Sequence, residues 1–154
     1  MANPGPATTV TNHPQNLATN QALRLIASAQ SVNLSQAGDT AMTVLDVSKF
    51  VPVSILITNG LNSSGATTTI ATATVGVYTG VGATGSTVLT TAALTSNTGG
   101  PYVTTSSATN ATTAISNPSN LYVNVGTTIA ATCDVFVYGY DLTCLLYTSP
   151  SPRD

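Results

Sequence analysis

The sequence predicts an all-β protein, specifically a two-sheet antiparallel β-sandwich or jelly roll. Three observations support this fold class. Only 5% of the 154 residues are charged, and glutamate, which is common on helix surfaces, is absent. Threonine and valine, whose branched side chains suit a pleated sheet, are abundant instead. Short alternating segments recur at roughly ten-residue spacing with turn residues between them, as in sandwiches and jelly rolls.

The strongest strand signal lies at residues 130–142. Strand side chains alternate between faces, so one face would carry small and aliphatic residues and the other would carry aromatic residues. The first set is Cys133, Val135 and Val137, and the second is Phe136, Tyr138 and Tyr140. A strand that is apolar on both faces is expected to be covered on both sides, in the middle of a sandwich or at a subunit contact. The three aromatic residues are therefore the candidates for a subunit contact or for stacking on a ligand.

The beginning of the chain differs from the rest. Residues 1–20 hold three prolines among Asn, Thr and Ala and show no apolar period, which predicts an extended N-terminal arm that becomes ordered only against a neighbour. The β-sandwich domain is expected to span residues 21–143. At 21–29 both a strand and a short helix fit the pattern, and the alternation of Leu23, Leu25 and Ala27 favours the strand.

The middle of the domain reads as strands separated by turns. Val53, Ile55 and Ile57 are predicted to form the inward side of one core strand. A second strand, at 69–78, should direct its Ala and Val residues inward: Ala71, Ala73, Val75 and Val77. Further strands are predicted at 41–47, 87–94 and 121–125, with weaker, threonine-rich edge strands at 102–106 and 111–115. The glycines of 79–85 lack the lysine of a phosphate-binding loop, so they predict a turn.

The last eleven residues do not continue this pattern. Residues 144–154 agree, residue for residue, with one reading frame of a widely used transposase sequencing adapter. We interpret them as an adapter-derived, non-native tail of a metagenomic sequence, so that the natural chain could extend past Thr143. Cys133 is then the single cysteine, and no intramolecular disulfide is expected.

The sequence predicts no catalytic residue, no metal site and no cofactor. An enzyme would need a nucleophile, a base and an orienting group, and His13, Cys133 and scattered aspartates do not supply such a set. The carboxylates outside the tail do not have the spacing of a calcium loop. Asp134, in the most apolar strand, would need a cationic or donor partner if buried, and Arg24 and Lys49 are the available cations.

The charge balance also excludes some partners. A net charge of −2 with three Lys and Arg residues offers no attraction for phosphates, so nucleic-acid binding is not expected. No run approaches the roughly 18 apolar residues of a membrane span. The region after Met1 lacks the basic residues followed by an apolar run that a secretory signal has, so we expect a soluble protein that is made in a cytoplasm.

Five segments together resemble small jelly-roll structural proteins of tailed bacteriophages, the head-decoration and head-fibre subunits. They are Ser-Val-Asn-Leu at 31–34, Lys-Phe-Val-Pro-Val at 49–53 with Ile-Thr-Asn at 57–59, Ala-Thr-Val-Gly-Val-Tyr-Thr-Gly at 73–80, Leu-Tyr-Val-Asn-Val-Gly at 121–126, and Asp-Val-Phe-Val-Tyr-Gly-Tyr-Asp-Leu at 134–142. The resemblance covers residues 22–142 and is one of pattern.

The resemblance implies a virion protein at the capsid surface that is made in the host cytoplasm. It implies a homo-oligomer, commonly a trimer, that stabilises the shell by contact with the major capsid protein or another virion protein. The scarcity of charged residues is a departure from the pattern of these phage proteins. It leaves open how such a subunit would recognise its docking surface. The alternative is a carbohydrate- or receptor-binding module of a phage fibre, which would need exposed, coplanar tyrosines with polar partners in a shallow groove.

Overall fold

A computed structural model describes residues 23–95, 104–109 and 111–142, and these residues contain nine strands. The strands are β1 (Arg24–Asn33), β2 (Gly38–Thr43), β3 (Lys49–Leu61), β4 (Thr74–Gly80), β5 (Thr84–Ala93), β6 (Thr104–Ser107), β7 (Ile115–Ser116), β8 (Asn120–Val125) and β9 (Thr132–Asp141). They form two antiparallel sheets, which confirms the predicted all-β sandwich. The predicted arm at 1–20, the first two residues of the edge strand predicted at 102–106 and the tail at 144–154 lie outside the described residues.

The order of the strands is that of a jelly roll. Sheet A has the order β1-β9-β3-β6, with the short β7 also pairing with β3, and sheet B has the order β2-β8-β4-β5. The chain therefore pairs as one long hairpin, in which β1 meets β9, β2 meets β8, β3 meets β6 and β4 meets β5. Successive pairs alternate between the sheets, which wraps the hairpin into the two layers of a jelly roll.

The core lies between the sheets and includes the side chains on one face of β9, a central strand of sheet A. Cys133, Val135 and Val137 are fully buried there. Phe50 from β3 and Leu121 from β8 are also 0% exposed. Full burial of each large apolar side chain contributes roughly 1.5–3 kcal/mol. With so few charges in the chain, this burial is the main source of stability.

A bulge in β3 changes which residues of that strand face the core. The pairing with β9 shifts register between Pro52 and Ser54. An extra residue in a strand reverses the alternation at that point. Pro52, Ile55 and Ile57 are buried, whereas Val53 is only partly buried. The prediction is therefore wrong for Val53 and confirmed for Ile55 and Ile57.

The strand predicted at 69–78 begins later, at Thr74. The N–H of Ala73 donates to the carbonyl of Ile70 at 3.0 Å, which closes a turn and places Ile70 in the core. Ala71 is only partly buried, so its predicted inward position is wrong. The inward positions of Ala73, Val75 and Val77 are confirmed.

Two other predicted strands are shorter than expected. The segment predicted at 41–47 ends as a strand at Thr43, and Val44 adds one isolated bridge to Ala27. At 111–115 a turn occupies the first residues, which have no large apolar side chain to bury. Only Ile115 and Ser116 pair with β3. The predicted edge position of the strand near 102–106 is confirmed, because β6 lies at the edge of sheet A.

A tyrosine on β4 lies flat on the outer face of sheet B. Tyr78 is 8% exposed, and a Cβ atom added at Gly76 would lie 2.7 Å from the Cε2 atom of its ring. The Tyr78 hydroxyl accepts the backbone N–H of Thr91 at 3.1 Å and lies 2.9 Å from its Oγ1. Glycine is required at position 76 because any side chain there would displace the ring.

Candidate functional site

The outer face of sheet A carries a continuous set of large apolar side chains. Residues paired across neighbouring strands share a face, and the register pairs Tyr138 with Leu25, Phe136 with Leu56 and Tyr140 with Val51. These contacts span the three adjacent strands β1, β9 and β3. We define the outer aromatic face as Leu25, Val51, Leu56, Phe136, Tyr138 and Tyr140.

All six side chains of the outer aromatic face are partly exposed. Within the single chain the core covers only the face of β9 that carries Cys133, so of the two predicted ways of covering the other face, a subunit contact stays a prediction. Polar residues with hydroxyl groups share the outer face, including Ser28 opposite Phe136 and Ser54 opposite Tyr138. The structure thus groups the three predicted aromatic residues on one partly exposed surface that is surrounded by hydroxyl groups.

Asp134, at one end of this face, is held by neutral donors from both neighbouring strands. Its Oδ1 accepts the backbone N–H of Ser31 in β1 at 2.8 Å, and its Oδ2 accepts the side-chain amide of Asn59 in β3 at 2.9 Å. Ser31 and Asn59 both have left-handed backbones, with φ of 53° and 58°, where their strands shift register. One carboxylate therefore fixes two bulges.

The cationic partner considered for Asp134 binds another carboxylate. Arg24 forms an ion pair with Asp141 at 2.5 Å and also donates to the carbonyl of Leu45 at 3.2 Å. The Arg24 side chain is 43% exposed and that of Asp141 is 15% exposed. An ion pair this exposed contributes little to stability. Of the two kinds of partner expected for Asp134, a cation or a neutral donor, the structure shows neutral donors, from Ser31 and Asn59.

The buried cysteine is chemically unreactive in the folded protein. Burial and, to a smaller extent, the neighbouring Asp134 carboxylate together raise the pKa of the Cys133 thiol to about 12. Since the thiolate is the nucleophilic form, the neutral thiol cannot start covalent catalysis near pH 7. His13, the other residue weighed for catalysis, lies outside the described residues.

The described carboxylates do not assemble a metal site. No group of three or more His, Cys, Asp or Glu residues lies close enough to hold an ion within 23–95, 104–109 and 111–142. Asp39, for example, instead accepts the N–H of Gly82 at 2.7 Å and the amide of Asn124 at 2.9 Å. Within the same part of the chain, no helix has the length and apolar character needed to cross a bilayer.

A groove of about 520 Å³ opens between the segment 114–119, which includes β7 of sheet A, and the start of β8 near the end of β4 and the start of β5 in sheet B. Its lining combines the Tyr122 ring with hydroxyl and amide side chains, of which the principal ones are Thr79, Ser86, Ser116, Asn117, Ser119 and Asn120. Long-range strand pairing brings these residues together, so no local motif could have revealed the groove.

No protein-family model matches the chain, and the searches of curated proteins and of solved structures also gave no match. The fold assignment therefore rests on the strand order and pairing described above.

Proposed function

We propose that the protein is a non-enzymatic structural subunit of a phage virion, a capsid decoration or cement protein that acts by packing against copies of itself. The outer aromatic face carries this proposal. Large contiguous apolar surfaces that remain exposed on a single chain mark interaction sites, and tyrosine and phenylalanine are enriched at the centres of protein interfaces.

The chemistry around the outer aromatic face favours a second copy of this chain as its occupant. In a symmetric assembly the same surfaces meet, so a cluster of like charges would repel its own copy. Here the surrounding hydroxyls of Ser28, Ser54 and Thr58 can each donate and accept hydrogen bonds, so identical surfaces are compatible. Asp134 is already satisfied within its own chain. The chain has only three Lys and Arg and five acidic residues in all, which gives little basis for charge-guided docking onto a different partner.

The resemblance to head-decoration and head-fibre subunits supports the virion assignment. Those proteins share the jelly-roll architecture, and their trimeric assembly would give the outer aromatic face a defined use between subunits. The proposed place of action is the capsid surface, where the oligomer contacts the major capsid protein or another virion protein.

The oligomeric state tests this proposal directly. Light scattering coupled to size exclusion, under reducing conditions, should give the mass of an oligomer for the natural sequence. Replacing Tyr138→Ser and Phe136→Ser together should give a folded monomer, because both side chains lie at the centre of the outer aromatic face. Tyr122→Ser, on the opposite sheet, is the matched control and should leave the oligomer intact.

A monomeric natural chain at every accessible concentration would contradict the proposal, as would an oligomer that is unaffected by the double substitution. Genomic context gives an independent test. We expect a major capsid gene among the open reading frames beside this one on the same contig, whereas a cluster of metabolic genes there would argue against a virion protein.

A further inference from the structure

We infer that the groove beside Tyr122 is a binding site for a neutral saccharide. None of the residues that line it belongs to the outer aromatic face, and the inference does not depend on the proposed packing function. Its volume of about 520 Å³ falls within the range of roughly 300–1,000 Å³ that is typical of small-ligand sites.

The polar side chains of this groove are available to a ligand. Within the described residues, the side chains of Ser86, Ser116, Asn117, Ser119 and Asn120 make no hydrogen bond to the protein. Hydroxyl and amide groups both donate and accept, which matches the hydroxyls around the edge of a sugar ring. The partly exposed Tyr122 ring supplies the apolar surface on which the C–H face of a pyranose can stack.

The loop that closes the groove is fixed before any ligand binds. The N–H of Asn117 donates to the carbonyl of Ser48 at 2.6 Å, and the N–H of Val44 donates to the carbonyl of Ser119 at 3.3 Å. Asn117 has a left-handed backbone with φ of 50°, a conformation that asparagine tolerates better than most residues. A prepared loop lowers the entropy lost when a ligand binds.

The charge of the groove selects a neutral ligand. No Lys, Arg, Asp or Glu is among the residues that line it. Lys49 pairs with Ser116 across β3 and β7 but does not line the groove. A phosphorylated or carboxylated sugar would therefore lose its hydration without gaining a cationic partner.

Titration of the full chain, labelled with ¹⁵N, against lactose, maltose, cellobiose and N,N′-diacetylchitobiose tests the inference. At least one of these neutral disaccharides should shift the amide resonances of the groove residues in a saturable way. Tyr122→Ala should abolish the shifts, whereas Tyr122→Phe should retain them. Asn117→Gly keeps the left-handed backbone and removes the amide, so it should weaken binding about two- to tenfold, the effect of losing one hydrogen bond.

Leu23→Ala, which shortens an exposed apolar side chain outside both the groove and the outer aromatic face, is the matched control and should bind as the unsubstituted chain does. The inference is wrong if none of the four disaccharides shifts the groove resonances, if the shifts map to the outer aromatic face, or if they persist in a folded Tyr122→Ala variant. Tighter binding of sialyllactose than of lactose, lost in Lys49→Ala, would also overturn it because the site would then select charge.

Discussion

Asp134 should be the most important polar side chain for the stability of sheet A. Its carboxylate accepts hydrogen bonds from Ser31 in β1 and Asn59 in β3, at the two bulges that flank β9. Hydrogen bonds to a charged group contribute roughly 1.5–3 kcal/mol each. Since Asp134 is partly exposed, water replaces part of this, and we expect Asp134→Ala to lower the free energy of unfolding by about 2–3 kcal/mol.

Equilibrium unfolding in urea, followed by circular dichroism at one protein concentration, measures this loss. The midpoint should fall while the slope with denaturant stays the same, which indicates lost stability without a change in the native structure. Asp134→Asn should lose part of the stability, because the amide presents a donor where the carboxylate has only acceptors.

Asp46→Asn is the matched control for the loss of a negative charge. Asp46 is exposed and also has a left-handed backbone, with φ of 46°. Asparagine is compatible with that conformation, so the change should stay within about 0.5 kcal/mol. The reasoning is refuted if Asp134→Ala is as stable as the natural chain, or if Asp46→Asn is destabilised to the same extent.

Three further predictions concern the core and the outer face of sheet B. Tyr78→Phe should cost about 1 kcal/mol in urea unfolding, because it leaves the Thr91 N–H without its acceptor; an unchanged midpoint would contradict this. Ile55→Ala should cost about 2–5 kcal/mol, and Val53→Ala clearly less, because the bulge turns Val53 out of the core; equal losses would refute the bulge. The pKa of the Cys133 thiol is raised from 9.0 to about 12, so the folded state keeps a proton that the unfolded state releases. The thiol should therefore not affect the free energy of unfolding below about pH 9 and should lower it above that pH. At about pH 10 the loss should be about 1.4 kcal/mol greater for the unsubstituted chain than for Cys133→Ala. If the unfolding free energies of the unsubstituted chain and of Cys133→Ala change in parallel with pH, the thiol ionises equally in the folded and unfolded states and the prediction is wrong.

The alternation of apolar residues was sufficient to predict the fold class and most of the core. Val135 and Val137 are buried as predicted, and so are Val75 and Val77. This works because strand side chains alternate strictly and a two-layer fold buries one face of each strand. The same alternation correctly predicted that Phe136 lies on the face of β9 opposite the core.

The bulges could not be predicted in the same way. A single extra residue reverses the alternation, and although Pro52 is of the residue type that sheets tolerate at bulges, the local sequence does not fix the register on either side of it. The partners of Asp134 were missed for a related reason. Ser31 and Asn59 can donate to Asp134 only because two bulges orient them. Those bulges arise from pairing with β9, in which Asp134 lies 103 residues from Ser31 and 75 residues from Asn59.

The pairing of β1 with β9 also determines when the protein can fold. Arg24 and Asp141, which meet across these strands, are 117 positions apart. During synthesis, β1 and β3 leave the ribosome long before β9, the strand that must lie between them, has been made. Such distant pairing slows folding. A nascent chain that lacks β9 cannot join β1 to β3 in sheet A, so this sheet can close only after residues 132–141 have been made.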